Sequence, residues 1–339
     1  MKSVKLYIRT VADAVSGMGH LSRMLTFAKY FRAAGYESVF GGDRYSPSAL
    51  ENITSMGFKS GEASSNCTIV VYDLVDTVWR EQKNALFREI EQHRNLGRAV
   101  VFFDGRGEIS YRKCYDAVKV DYLVAPYVGE LKTIPLSSTK FLLGPDYFPL
   151  AENFVCNPQK EIRESTRRIL LTAGGSDPYN ASRMLLNATL IADPQGSAEI
   201  NVVIGSMFSE RLRQELHRVA GDTSHRVLLH ECITDLSDLM AVADLCVCAN
   251  GLTKYELAAM GVPTIVVSIN EQNHEINQEF SKSGAVIVAG ILDALSVNAL
   301  AATIVELMND RGKRLLLSQA ARQLIDGNGL SRIRTVIGL

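Results

Sequence analysis

The chain has 339 residues, 47% of them hydrophobic and 22% charged, a balance that excludes general disorder. That length suits two domains of ordinary size rather than one small core. A net charge of -1 gives no long-range pull toward nucleic acid or anionic lipid. Any phosphate must then be held by local devices such as helix N-termini and glycine turns.

No apolar run reaches the roughly 18 residues that span a bilayer. Residues 1–10 combine a basic start with a short apolar stretch and read as a first β-strand rather than a signal peptide. The six cysteines, Cys67, Cys114, Cys156, Cys232, Cys246 and Cys248, lack the CxxC or Cys/His spacing of a zinc site. They read as reduced thiols, and the expectation is a cytoplasmic protein with no metal and no cofactor.

Along the chain, short β-branched runs apolar on both faces predict strands at 4–8, 38–42, 68–73, 99–104 and 121–125. A second series falls at 168–173, 200–205, 226–231, 244–249, 264–268 and 285–289. Helical spacing separates them at 21–34, 77–95, 180–191, 208–220, 253–260 and 294–309. This alternation predicts an α/β chain of two Rossmann-like, doubly wound parallel-sheet domains facing across a cleft. The irregular stretch 145–167 places the domains at 1–150 and 151–339. The tail from about 312 reads as helical, with the last helix expected to pack back on the first domain.

In open α/β sheets, ligands bind beyond the carboxyl ends of strands, so the loops there carry the search. After the first strand, Gly17 and Gly19 bracket a tight turn ahead of a helix, with His20 placed to hold or take a proton. The same residues also read as a plain glycine turn with a capping histidine. After residue 172, Gly174, Gly175 and Ser176 make a small-residue turn suited to a phosphate or sugar, and equally a well-made strand-to-helix connection. Further on, Asn250 and Gly251 break a strand end and Thr253 opens a helix. Glu256 sits in the first turn of that helix, where a carboxylate accepts from ribose hydroxyls or simply complements the helix dipole. A polar cluster containing Asn270 and Asn273 follows the next strand, as sugar contacts or as a solvated loop. No serine-hydrolase elbow, Walker lysine or complete GxGxxG is present, which leaves nicotinamide redox chemistry without a site.

The ordered set Arg9, Gly17-Met18-Gly19-His20-Leu21-Ser22-Arg23, Leu142 to Tyr147 with Phe154, Gly174-Gly175-Ser176-Asp177, and Gly251, Thr253, Glu256, Gly261 and Pro263 resembles a known family. It resembles the UDP-sugar hydrolase of pseudaminic acid biosynthesis and the spore-coat polysaccharide biosynthesis proteins. A more distant resemblance is to the N-acetylglucosaminyltransferase that makes lipid II. The resemblance implies the glycosyltransferase-B fold, a nucleotide held mainly by the second domain, Glu256 on the ribose, and Gly251 and Thr253 near the pyrophosphate. It also implies that His20 positions or deprotonates the water that attacks the anomeric carbon and expels UDP. Arg9 and Asp73 are expected first-domain contacts to the nucleotide-sugar, with Asp104 a further candidate; for the two aspartates a capping or fold role is equally open. Departures gather in that domain: Val11 stands where the family usually has an acid, Val75 where it often has tyrosine, and Asp104-Gly105 where it has paired aspartates.

The expected function is hydrolysis of a UDP-linked amino- or deoxysugar in surface-polysaccharide or nonulosonic acid biosynthesis. One alternative is a glycosyltransferase moving the sugar to an acceptor hydroxyl. A second is a non-catalytic protein that binds a nucleotide-sugar. The expected partner is that nucleotide-sugar alone, with no nucleic acid and no integral membrane segment.

Overall fold

The computed structural model describes residues 5–13, 16–42, 44–104, 119–129, 138–155, 160–231, 233, 235–249 and 251–339. The chain divides into two compact units, Met1–Ala151 with Asn328–Leu339, and Glu152–Gly327.

In the first unit, β1 (Lys5–Thr10), β2 (Glu37–Gly41), β3 (Lys59–Ser60), β4 (Cys67–Asp73), β5 (Ala99–Phe103), β6 (Tyr122–Ala125) and β7 (Lys140–Leu143) build one sheet. Its order is β3-β2-β1-β4-β5-β6-β7, and its pairs are parallel. The connections include α1 (Gly19–Ala33), α2 (Pro47–Ser55) and α3 (Asp76–Asn95). Strand β4 shows why these sequences are apolar on both faces. Ile69 and Val71 pack in the core shared with α1, while Val70 and Tyr72 join a second core on the opposite face. Helix α1 meets the sheet with Leu21, Met24, Leu25, Phe27, Ala28 and Phe31, a stripe at helical spacing.

The second unit holds α4 (Glu152–Val155), β8 (Arg168–Thr172), α5 (Ala181–Ala192), β9 (Glu199–Ile204), α6 (Glu210–Gly221), β10 (Arg226–Glu231) and α7 (Ser237–Val242). It continues with β11 (Leu245–Ala249), α8 (Thr253–Ala259), β12 (Thr264–Ser268), α9 (Glu271–Lys282), β13 (Ile287–Ile291), α10 (Val297–Asn309) and α11 (Arg311–Leu324). Its strands run β10-β9-β8-β11-β12-β13, again with parallel pairs. The chain then returns to the first unit through α12 (Gly329–Ile337). Each sheet reverses its winding once, between β1 and β4 and between β8 and β11. Such switch points are where open α/β sheets leave room for a ligand.

The structure departs from the sequence reading at several elements. Two-residue β3 is too short and exposed to carry an apolar pattern. Helix α2 opens with Pro47 after Ser46, whose hydroxyl accepts from the Ala49 amide, a start signal that the sequence reading passed over. The polar run at 270–275 is the start of α9 rather than a loop. Among the described residues, no helix is long and apolar enough to cross a membrane. Cys67, Cys246 and Cys248 are buried and free, whereas Cys114, Cys156 and Cys232 lie outside the described residues.

Helix α12 inserts Leu330, Ile333 and Ile337 into the core that α1 and the first sheet share. Ile333 is fully buried there. Truncating it to alanine is expected to cost about 2–5 kcal/mol, read as a lower urea midpoint of the full chain. An unchanged midpoint would mean that α12 is not part of that core.

Candidate active site

In the first unit the site is built at the β1/β4 switch point. Strand pairing sets Thr10 beside Asp73 at the carboxyl ends of β1 and β4. Asp73 shares the parity of Ile69 and Val71, so its side chain turns toward α1. Helix α1 answers with His20 and Arg23, three residues apart and therefore on one face. His20 Nδ1 lies 2.7 Å from Asp73 Oδ1. Arg23 donates from Nε to Oδ2 at 2.8 Å and from NH2 to Oδ1 at 2.6 Å, a bidentate clamp. The same guanidinium donates to the Tyr127 hydroxyl at 2.7 Å. It also sits over the rings of Phe103 and Tyr127.

Asp73 has no exposed surface, and Arg23 almost none. Burial by itself would raise the Asp73 carboxyl, but the charges and hydrogen bonds of Arg23 and His20 outweigh it and hold the pKa down at about 2. The His20 side chain keeps 23% of its surface exposed. Its Nε2 makes no hydrogen bond among the described residues. An ionised carboxylate on Nδ1 favours the tautomer with the proton there and leaves the Nε2 lone pair available. Ahead of α1, Gly17 takes a left-handed φ of 71° and its amide bonds to Asp13 O. Gly19 opens the helix, and no side chain caps it. Among the described residues no side chain takes the first amides of α1, which suits them to an anion beside His20.

Two first-unit residues take different places from those read in the sequence. Arg9 has the parity of Tyr7, so it lies on the opposite face of the sheet, with its Nε 3.8 Å from Glu89 on α3. It is not brought to His20. Asp73 is not a ligand contact, because a fully buried carboxylate whose two oxygens serve His20 and Arg23 has no face to offer.

In the second unit, the loops after neighbouring β8 and β11 carry the remaining residues. Gly174, Gly175 and Ser176 turn tightly, and the amides of Gly175 and Ser176 have no partner among the described residues. Gly175 O accepts from Met207 N, and a Cβ on Gly205 would collide with the carbonyls of Gly174 and Gly175. Asp177 occupies the first amides of α5, accepting from Ala181 and Ser182 at 2.8 Å each. Any anion at this loop thus meets the turn amides and not the helix end. Asn250 lies outside the described residues. Gly251 and Thr253 lead into α8, where the Thr253 hydroxyl makes no hydrogen bond among the described residues. Glu256 follows one turn along, half-buried and likewise without a hydrogen-bond partner there. Burial and neighbouring Asp235 push its pKa up to about 7.

Beneath α8, Lys254 donates to Asn277 Oδ1 at 2.7 Å, and Asn277 donates to Ser268 Oγ at 2.9 Å. This buried chain ties α8 to the end of β12 and to α9, fixing where Glu256 stands. Asn270 caps α9, its Oδ1 accepting from the Asn273 amide at 2.9 Å. Asn273 Oδ1 is buried without a partner. Among the described residues no cluster of His, Cys, Asp and Glu could hold a metal ion.

The sequence reading missed the roles of Arg23, Tyr127, Lys254 and Asn277. Arg23 carries a signal, its spacing from His20. Tyr127 carries none, since it reaches Arg23 only through the sheet.

No family model matches the chain. An uncharacterized protein of Methanocaldococcus jannaschii is 26% identical over 294 residues, 82% of this chain and 58% of that protein. The spore coat polysaccharide biosynthesis protein SpsG of Bacillus subtilis is 26% identical over 201 residues, 59% of this chain and 58% of the relative. A UDP-N-acetylglucosamine–N-acetylmuramyl-(pentapeptide) pyrophosphoryl-undecaprenol N-acetylglucosamine transferase of Halorhodospira halophila is 28% identical over 178 residues, 51% of this chain and 49% of the transferase. The chain thus spans under two thirds of the length of these curated relatives. Among solved structures, MurG of Acinetobacter baumannii superposes with a TM-score of 0.68 at 14% identity, covering 99% of both chains. The calicheamicin glycosyltransferase CalG4 superposes with a TM-score of 0.64 at 13% identity, covering 100% of this chain and 98% of its own. With its two parallel-sheet α/β units, this chain has the glycosyltransferase-B fold, and over part of its length it is similar to the spore coat polysaccharide biosynthesis protein SpsG.

Two pH responses of opposite sign follow. Asp73 is depressed, so the stability it contributes is present above its ordinary pKa of 3.8 and is lost as pH falls through about 2. Asp73→Asn leaves the Arg23 charge buried and unmatched, and is expected to cost about 3–5 kcal/mol in urea unfolding at neutral pH. Glu256 is raised, so the stability tied to its neutral form is full below 4.5 and is lost as pH rises through about 7. Glu256→Gln is expected to flatten that decline, measured as melting temperature between about pH 5 and about pH 8. A variant as pH-sensitive as wild type would contradict the assignment.

Proposed function

We propose that the chain is a glycosyltransferase that moves the sugar of a UDP-linked N-acetylated amino sugar to an acceptor hydroxyl. The observation that carries this reading is the His20–Asp73 pair, a buried carboxylate on Nδ1 with Nε2 left open. His20 Nε2 takes the proton of the acceptor hydroxyl as its oxygen attacks the anomeric carbon. The bond from that carbon to the diphosphate oxygen breaks, and UDP leaves with the electron pair. One displacement of this kind inverts the anomeric centre. Asp73 holds the imidazole in place and stabilises the cation formed on proton transfer. In the second unit, the free amides of Gly175 and Ser176, with Gly251 and Thr253, suit the diphosphate, and Glu256 suits the ribose hydroxyls.

The sugar and the acceptor class rest on the similarity to N-acetylglucosamine transferases, which supports transfer more than the hydrolysis suggested by the sequence. The hydrolysis expected from the first resemblance uses the same base with water as acceptor. A silent binding protein has no use for a histidine oriented by a buried acid.

The test is UDP release from UDP-N-acetylglucosamine and related UDP-amino sugars, with and without candidate acceptors, for wild type, His20→Ala and Glu256→Ala. Transfer predicts release that depends on an acceptor. His20→Ala is expected to lower turnover by about 10²–10⁴-fold while keeping UDP affinity within about twofold. Glu256→Ala is expected to weaken UDP binding about tenfold or more. Acceptor-independent release at the full rate would favour hydrolysis, and full activity in His20→Ala would overturn both.

A further inference from the structure

At the end of the second sheet away from the strand-end loops lies a cavity of about 310 Å³. Its lining includes Arg163, Arg167, Arg168 and Arg226, with Glu199 on its wall. Arg168, Glu199 and Arg226 are the first residues of β8, β9 and β10, whereas the nucleotide loops follow the last residues of such strands. A five-residue strand separates the two ends by roughly 15 Å. The cavity is therefore distinct from the site above and independent of the proposed function.

Its charge is unbalanced by construction. Arg163 pairs with buried Asp244 at 3.0 Å. Arg168 and Arg226 share the single carboxylate of Glu199, at 3.6 and 2.9 Å. Arg167 makes no ion pair among the described residues. Asp193 lies behind the wall, accepting from lining Ser197 and Ala198 at 2.8 Å each, so the four guanidiniums still outnumber the carboxylates of Glu199, Asp244 and Asp193. Each guanidinium has five N–H donors, and these pairs use few of them.

The acids also hold the arginines in place. Asp244 accepts the backbone amides of both Arg167 and Arg168 through Oδ2, at 2.9 and 3.0 Å. The strand start that carries those two side chains is thereby anchored. Glu199 is itself bonded by Asn201 Nδ2 at 3.2 Å. Gathering like charges in a concavity opposes folding unless an anion is there to meet them. Planar forks of this kind match phosphate oxygens two at a time.

We propose that this arginine basin binds a phosphate or diphosphate group carried by a small molecule. A phosphate ester at neutral pH bears between about one and a half and two negative charges, opposite in sign to the excess on the basin.

The test is calorimetric titration of inorganic pyrophosphate into the full chain at an ionic strength of about 0.15 M. It compares wild type with Arg167→Gln/Arg226→Gln, each with UDP in excess so that the diphosphate-binding loops of the proposed nucleotide site are filled. Arg167 and Arg226 are exposed, so the double variant is expected to keep the wild-type melting temperature. The proposal expects saturable binding to wild type, weakened at least about tenfold in the double variant. No saturable binding to wild type would overturn it. So would equal affinity in the folded double variant.

Discussion

One buried carboxylate organises the first unit's chemistry. Asp73 ends β4 with no exposed surface, yet it stays ionised because Arg23 grips both oxygens and His20 lies on one of them. Removing charge from water costs several kcal/mol per ion, and a bidentate pair with every acceptor used is the arrangement that offsets it. The arrangement also fixes geometry. Arg23 is pinned from behind by Tyr127 and flanked by Phe103, so the carboxylate has one position and the imidazole follows it. The most exposed member of the chain is the one with a free ring nitrogen.

The second unit solves a different problem, presenting neutral donors and one acid at a strand end. The Asp177 carboxylate accepts two of the first amides of α5, and the Asn270 side chain accepts one of those of α9. The unspent groups gather around the Gly174–Ser176 turn and the start of α8. Their placement depends on Lys254 and Asn277, which lock α8 to β12 and α9 from beneath. Glu256 can stand without a hydrogen-bond partner because this network, rather than Glu256 itself, holds the helix. Its raised pKa is the electrostatic cost of keeping an acid available there.

Much of the fold was legible because parallel strands buried on both faces leave continuous apolar runs, as in β4, β11 and β12. What escaped had weak or competing signals. Two exposed residues make β3, and α9 begins with polar residues that read as a strand-end loop until Asn270 is seen as its cap. Within the site, His20 was legible from its glycines and Glu256 from its place in a first turn. The partnership of His20 with Asp73 was not, because residues 53 apart meet only through strand order and side-chain parity. The same parity removes Arg9, since a one-residue step along β1 turns a side chain to the other face.

The most direct measurement of the central claim is the ¹⁵N NMR spectrum of selectively labelled His20 in the full chain, recorded above the imidazole titration and again in Asp73→Asn. The account predicts an Nδ1–H tautomer with an unprotonated Nε2 in wild type, and loss of that fixed tautomer in the variant. An Nε2–H tautomer in wild type, or an unchanged spectrum in Asp73→Asn, would contradict it.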